Sequence, residues 1–218
     1  TSHQSILFCD LDPAVKGELE SILRSHGVKL SADISNARRW SMACVAWPTC
    51  GLAITESERA LPGIIDRLEA EVARLGLSQE VFTVRMTGCP NGCGRPFLAE
   101  IGFVGKSPGK YNIYLGAAFD GTRLNILYKA SVPTADIVPV LGPIIRRYAT
   151  ERTTGERFGD FVIRAGYVKS TGTAQDFHEA KAAAPVEAEL PRLSQTIGII
   201  LGPSPFQTDE RIVGRDAI

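Results

Sequence analysis

The chain has 218 residues, enough for one large domain, and 44% of them are hydrophobic while 22% are charged, as in ordinary globular proteins. Its 24 basic and 24 acidic residues give a formal net charge of zero. Composition therefore gives no reason to expect binding to nucleic acid or to an anionic membrane. No apolar run approaches the roughly 20 residues that span a bilayer. We expect a cytoplasmic protein with no nucleic-acid or membrane partner.

The N-terminal segment, TSHQSILFCD, has neither a start methionine nor a basic-then-apolar signal pattern. It enters directly into a strand-like run, so we interpret the chain as a fragment of a longer polypeptide. Residues 4–9 predict a strand, and a helix follows that opens at Asp12-Pro13 and ends near Gly27. This β-α unit is too small to stand alone.

The central part of the chain predicts alternating strands and helices. Residues 38–47 predict a strand, and the helical spacing of apolar residues over 61–75 predicts a long amphipathic helix. Four further strands are expected, at 81–87, 101–105, 111–117 and 123–129.

The C-terminal part begins with a predicted helix over 134–151, which Pro139 and Pro143 should kink or split. A short last element is expected at 158–166. From about residue 170 the sequence becomes rich in Ala, Glu and Pro, which predicts an extended or disordered tail.

Five cysteines occur, at positions 9, 44, 50, 89 and 93, and the odd count argues against a closed disulfide framework. Four of them form two close pairs, C-x5-C and C-x3-C, with 38 residues between the pairs. Each pair lies where a strand runs into a turn rich in glycine and proline. Cys9 lies in an apolar run outside the pairs, and we expect it to be a buried hydrophobic residue.

Soft thiolate ligands favour iron–sulfur clusters, zinc or copper(I). Glycine allows the backbone to approach a bulky cluster, whose sulfides accept hydrogen bonds from amides. Structural zinc sites usually use C-x2-C to C-x4-C spacing, which the second pair satisfies and the first does not. Spacing alone favours iron–sulfur, and leaves zinc and unliganded or disulfide-linked cysteines open.

Two segments around the cysteines, ACVAWPTCGLAITESERALP (43–62) and RMTGCPNGCGRPFLAEIGFVGKSPGKYNIYLG (85–116), resemble the C-terminal half of the sulfite/nitrite reductase family. The resemblance runs from about residue 4 to about residue 168. It implies that Cys44, Cys50, Cys89 and Cys93 hold a [4Fe-4S] cluster. It also implies that Cys93 bridges to the iron of a siroheme as its axial thiolate and so takes part in catalysis.

The resemblance implies reduction of sulfite to sulfide, a six-electron reaction of sulfur assimilation. Relatives that reduce nitrite tend to read CPNSCGQ around the second pair, whereas this chain reads CPNGCGRP, which favours sulfite. A siroheme nitrite reductase of the same architecture is the alternative enzyme. A non-catalytic module that holds zinc with four cysteines is the alternative of another class.

Asn91 and Arg95 flank the second cysteine pair and are candidate cofactor-binding residues. Asn91 also fits a plain turn position before glycine. Arg95 carries a guanidinium that pairs well with a carboxylate, as siroheme would present.

In the family, the basic residues that hold the substrate anion come from the N-terminal half, which is absent here. The expected partners are therefore that N-terminal half, sulfite, and an electron donor that is either a flavoprotein subunit or a ferredoxin. Without the N-terminal half, the fragment should be inactive.

The resemblance implies an α+β fold with a mixed or antiparallel sheet and helices packed on it. Residues 1–36 would be the end of a ferredoxin-like half-domain. Residues 37–170 would form the siroheme and [4Fe-4S] domain, and residues 171–218 would be the tail.

Overall fold

The centre of the molecule is a five-stranded mixed sheet with its strands in sequential order, seen in a computed structural model that describes residues 6–173 and residue 175. The strands are β1 Ser41–Ala43, β2 Val84–Thr87, β3 Ile101–Ser107, β4 Lys110–Leu115 and β5 Ile126–Pro133. Strands β1, β2 and β3 pair in parallel, whereas β3, β4 and β5 form an antiparallel meander. The predicted α+β class with a mixed sheet is confirmed.

Five helices accompany the sheet in the described part of the chain. They are α1 Lys16–Ser25, α2 Asn36–Arg39, α3 Leu61–Arg74, α4 Ile137–Glu151 and α5 Phe158–Arg164. The helices α3 and α4 each bury one apolar face, and both faces join a single core with the sheet. The long amphipathic helix expected over 61–75 is confirmed.

A buried carboxylate joins the start of β3 to its neighbours. Glu100 has no exposed surface, and its Oε2 accepts hydrogen bonds from the backbone N–H and the hydroxyl of Thr83. Its Oε1 accepts from the Gly159 N–H at 3.2 Å, and Arg157 lies 3.1 Å from Oε2. Because Thr83 precedes β2 while Arg157 and Gly159 lie at the start of α5, this one side chain fixes both segments against β3.

Several local predictions need correction. Residues 38–47 were expected to be one strand, but Arg38 and Arg39 belong to α2 and only Ser41–Ala43 form β1. The Ser35 hydroxyl accepts a hydrogen bond from the Arg38 N–H at 3.0 Å, and this N-cap starts a helical turn instead of a strand.

Of the kink or split predicted for the helix over 134–151, the split is wrong, because α4 is continuous from Ile137 to Glu151. Pro139 lies in the first turn, where the backbone N–H would have no partner within the helix. Pro143 removes one hydrogen bond from the interior, and the buried apolar face of α4 holds the helix together in spite of it.

At the N-terminus, residues 6–9 have no strand, contrary to the prediction. Among the described residues no strand lies beside them, and an isolated strand would leave its backbone groups unpaired. Cys9 is exposed, so its expected burial is wrong as well. The predicted tail, residues 171–218, falls almost entirely outside the described residues.

None of the helices described here combines the length and the apolar character needed to cross a membrane.

Candidate metal centre

The two cysteine motifs meet because their preceding strands are parallel neighbours. Ala43 of β1 pairs with Met86 of β2, so both strands end at the same edge of the sheet. The first residue beyond β1 is Cys44, and its backbone N–H donates to the Met86 carbonyl at 3.1 Å. The turn that carries Cys89 and Cys93 starts immediately after β2. A parallel register thus brings together segments that are about forty residues apart in the chain.

The Cys44 sulfur accepts two hydrogen bonds from the end of β2. The Gly88 backbone N–H lies 3.3 Å from Cys44 Sγ, and the Thr87 hydroxyl lies 3.5 Å from it. The Gly88 carbonyl accepts from the backbone N–H groups of Ile54 and Thr55 at 2.9 and 3.1 Å. Gly88 therefore holds both cysteine-bearing segments, and it directly precedes Cys89.

Two glycines make this close approach possible. A Cβ at Gly88 would lie 2.5 Å from the Ala46 Cβ and from the Thr55 carbonyl oxygen. A Cβ at Gly94 would overlap the Met86 carbonyl oxygen and lie 3.3 Å from the Cys44 nitrogen. Both positions need glycine because they lack space, and not because their backbone is left-handed.

The turn that carries Cys50 also packs next to Gly88. Its N–H donates to the Ala46 carbonyl at 2.7 Å, and its carbonyl accepts from the Ala53 N–H at 3.2 Å. The Ala53 Cβ lies 3.5 Å from the position that a Gly88 Cβ would take. The turn of Cys50 is therefore packed against the residue that precedes Cys89.

The four cysteines differ in exposure. Cys89 is buried, Cys44 and Cys50 are half-buried, and Cys93 is exposed. Within residues 6–173 and 175, no three Cys, His, Asp or Glu side chains are close enough together to hold a single metal ion. In a cluster each thiolate binds a different iron, so its ligands stand farther apart than those of one ion. The segments that carry the four cysteines are brought together, and the assignment of all four as ligands stays a prediction.

Both cysteine turns contain a residue in the left-handed region that is not glycine. Ala46, in the first turn, has φ 44°, and Arg95, after the second, has φ 51°. Such a backbone costs about 1–3 kcal/mol and is found preferentially at functional sites. The strained backbone in both turns agrees with a functional role for each of them.

The two other sequence candidates, Asn91 and Arg95, are exposed on the second turn. The Arg95 guanidinium lies 3.5 Å from the Met42 sulfur, and the Arg95 carbonyl accepts from Arg85 at 3.5 Å. Burial, and after it the positive charge of Arg95, lowers the pKa of Arg85 below its ordinary value. The structure therefore adds a second, buried guanidinium next to the predicted one, and an anionic group beside them would be stabilised.

Sequence reasoning missed Arg85, Thr87 and Gly88. Arg85 and Thr87 lie in a run that reads as an ordinary β-branched strand, so no motif distinguishes them. Their role depends on the register between β1 and β2, which the sequence does not specify.

An iron–sulfur cluster fits the residues at this site. The thiols are soft ligands, the Cys44 sulfur already accepts an amide hydrogen bond, and glycines keep the backbone close to it. A cofactor with carboxylates fits the neighbouring guanidiniums of Arg85 and Arg95, and Cys93, an exposed residue, is accessible to such a cofactor.

Comparison with known proteins agrees with this class of α+β metal-binding domain. Residues 35–173 match the family described as "Nitrite and sulphite reductase 4Fe-4S domain", and the chain belongs to this family.

Among curated relatives, the "sulfite reductase [NADPH] hemoprotein beta-component" of Methylobacterium sp. (strain 4-46) is 52% identical over 82% of this chain and 29% of the relative. The protein of the same name from Bacillus subtilis (strain 168) is 49% identical over 82% of this chain and 31% of the relative. The chain thus spans less than a third of the length of either protein.

A solved structure, that of the Mycobacterium tuberculosis NirA protein, matches with a TM-score of 0.65 and 25% identity. The match covers 76% of this chain and 32% of that one.

Proposed function

We propose that this chain is the C-terminal part of a sulfite reductase hemoprotein and that Cys44, Cys50, Cys89 and Cys93 hold its [4Fe-4S] cluster. The observation that carries the proposal is the meeting of the two cysteine turns at one edge of the sheet, with Gly88 bonded to the Cys44 sulfur. Family membership and the names of the relatives support the same function.

Cys93 has a second role in the proposal, as the axial ligand of a siroheme. Cys93 is exposed, whereas Cys89 is buried, so Cys93 is the accessible member of its pair. Arg95, with Arg85 behind it, would pair with carboxylates of the bound macrocycle, and Asn91 would hold the turn between the two cysteines. When bound, the coupled cofactors supply electron transfer for the six-electron reduction of sulfite to sulfide.

The site requires further residues to complete it, and these would come from another part of the hemoprotein. We propose that an N-terminal half encloses the siroheme and supplies the basic residues for the sulfite anion. The N-terminal segment of this chain supports such a partner, because it presents an exposed apolar surface that includes Ile6, Leu7, Phe8, Leu11, Val15 and Ile22. An apolar surface of this kind marks an interaction site.

For the electron donor, we propose an NADPH-dependent flavoprotein rather than a ferredoxin. The relatives at about 50% identity carry NADPH in their names, which supports this choice. We place the protein in the cytoplasm, where thiol ligands stay reduced.

The test is a chimera in which this chain replaces the corresponding part of the Methylobacterium relative. Reduced methyl viologen serves as the donor, and sulfide formed from sulfite is measured beside ammonia formed from nitrite. We expect sulfide formation to exceed the reaction with nitrite. A chimera that holds both cofactors but turns over nitrite alone would contradict the choice of substrate.

A zinc module is distinguished by metal analysis of the 218-residue chain itself. After anaerobic reconstitution with iron and sulfide, a cluster protein is brown and releases acid-labile sulfide. Stoichiometric zinc in a colourless protein that takes up no iron would contradict the cluster.

A further inference from the structure

The buried amide of Asn125 holds the segment that follows the second cysteine turn. Asn125 has no exposed surface, and its Nδ2 donates hydrogen bonds to the Pro96 and Ala99 carbonyls, both at 2.8 Å. Its backbone N–H donates to the Phe97 carbonyl at 3.0 Å. One residue, which lies directly before β5, therefore binds three carbonyl groups within residues 96–99.

These bonds lie next to Arg95, whose backbone is strained. Arg95 has φ 51° and ψ 47°, a left-handed conformation that is unfavourable for a residue with a side chain and that persists only where the surrounding structure enforces it. Its N–H donates to the Gly92 carbonyl at 2.7 Å, and its carbonyl accepts from the Leu98 N–H at 3.2 Å. Because Asn125 holds the segment that contains Leu98, it keeps Arg95 from relaxing to a commoner conformation.

We propose that Asn125 is a positioning residue for siroheme binding, which acts by holding Arg95 in the conformation that pairs with a carboxylate of the cofactor. This inference rests on the proposed function, since it requires Arg95 to bind siroheme. The direction in which a side chain leaves the backbone depends on φ and ψ. Relaxation at Arg95 would therefore carry its guanidinium away from the Met42 sulfur and would move the carbonyl that Arg85 contacts.

The amide is present in the core at an energetic cost. Asn125 Oδ1 is buried and accepts no hydrogen bond from any residue that the structure describes. A buried polar atom without a partner destabilises a fold, so an apolar side chain would suit a position that only had to be filled. The backbone of β3 also leaves room for the amide, since a Cβ at Gly102 would lie 2.8 Å from Nδ2 and would overlap the Pro96 carbonyl oxygen. The two donated bonds are what asparagine provides here.

Four single variants separate the role of the amide from that of its volume. Asn125→Leu removes the donors and keeps a side chain of similar size, whereas Asn125→Asp keeps the shape and replaces the donors. Arg95→Leu removes the guanidinium. Asn112→Leu is the matched control, because Asn112 also bonds a backbone group through its side chain, but its partner is the Ser131 N–H of β5, at 3.0 Å.

The experiment is an anaerobic titration of the cluster-loaded 218-residue chain with siroheme, followed by optical absorption. We expect Asn125→Leu and Arg95→Leu each to weaken siroheme binding about tenfold, the loss of one hydrogen bond to a charged group. The double variant should also lose about tenfold, because both substitutions act through the same guanidinium. Asn112→Leu should keep the wild-type affinity. Iron and acid-labile sulfide are counted in each variant, and Asn125→Asp takes the place of the leucine variant if the latter does not load a cluster.

The outcomes separate this inference from the proposed function. A loaded Asn125→Leu chain with the wild-type affinity for siroheme contradicts the inference alone, and so does a double variant in which the two losses multiply to about a hundredfold. An equal loss in Asn112→Leu would show general loosening and contradicts it too. If both variants at Asn125 fail to load a cluster while Asn112→Leu loads one, the amide serves the fold and the inference is wrong. A wild-type chain that takes up no cluster or no siroheme, or an Arg95→Leu chain that binds siroheme as the wild type does, contradicts the proposed function itself.

Discussion

Gly94 packs directly against the carbonyl group of Met86, and a Cβ on Gly94 would overlap that oxygen. The contact joins the turn that carries Cys93 to the strand that precedes it. It also brings Gly94 next to the Cys44 backbone, since the same Cβ would be 3.3 Å from the Cys44 nitrogen.

We therefore expect Gly94→Ala to be destabilising by about 1–3 kcal/mol and to reduce cluster content, because the added methyl group must push the two turns apart. The free energy of unfolding from denaturant titration and the iron content measure the two effects. Gly51→Ala is the matched control, because Gly51 follows Cys50 and a Cβ there meets no atom within 4 Å. Equal iron loss in both variants would show that crowding at Gly94 is not the cause.

Substitution of single cysteines tests the ligand set. Cys44→Ser, Cys50→Ser, Cys89→Ser and Cys93→Ser should each lower the bound iron and acid-labile sulfide severalfold, because serine is a poor substitute for a thiolate. Cys9→Ser should leave both unchanged, since Cys9 is exposed and lies outside the paired motifs. Iron loss in Cys9→Ser, or full iron in any of the other four, would make the assignment wrong.

Cys93 should differ from the other three proposed ligands in the chimera with the N-terminal part of the relative. There, Cys93→Ser should shift the optical bands of the siroheme and abolish sulfide formation, because it removes the proposed axial thiolate as well as a proposed cluster ligand. The isolated 218-residue chain should form no sulfide even with reduced methyl viologen, because the anion pocket would lie in the other half. Turnover by the isolated chain would place that pocket within these residues.

Stability in acid should depend on Glu156. Hydrogen bonds from Arg164 at 2.6 and 2.7 Å lower the pKa of this carboxyl from 4.5 to about 2. A carboxyl with a lowered pKa stabilises the fold above its ordinary pKa, and this contribution is lost as the pH falls from 4.5 towards 2.

At pH 7 we expect Glu156→Gln to cost about 1–2 kcal/mol, a modest figure because Arg164 is half-exposed and solvent screens the pair. The difference from wild type should shrink as the pH falls through this window, which urea unfolding at a series of pH values would measure. Glu151→Gln, at an exposed pair with Arg147, is the control and should cost less. A Glu156→Gln difference that is constant from pH 7 to pH 2 would contradict the assignment.

The sequence predicted those elements whose pattern of residues lies within a single short segment. The apolar spacing of α3 and the turn residues between β3, β4 and β5 predict those elements without knowledge of the rest of the fold. The cysteine motifs were visible for the same reason. The contacts that complete the site were not, because the bond from Thr87 to Cys44 and the approach of Gly94 to Met86 depend on how β1 aligns with β2. Residues 6–9 were wrongly expected to form a strand. Their apolar side chains suggested one, but a strand also needs a neighbouring strand to pair with, and the local sequence does not show whether one is present.

The order of strands in the sheet also bears on the time at which a cofactor enters. The pairs between β3 and β4 join residues such as Ile101 and Leu115, whereas Ser41 pairs with Val84 across a far longer loop. Closing a longer loop costs more entropy, so we expect the meander to form first and β1 to dock last. Pulsed hydrogen exchange during refolding should accordingly protect Phe103 and Ile113 before Met42, and the reverse order would contradict this. The two cysteine turns should therefore come together only when β1 docks, and a cofactor that binds both turns should be loaded late in folding.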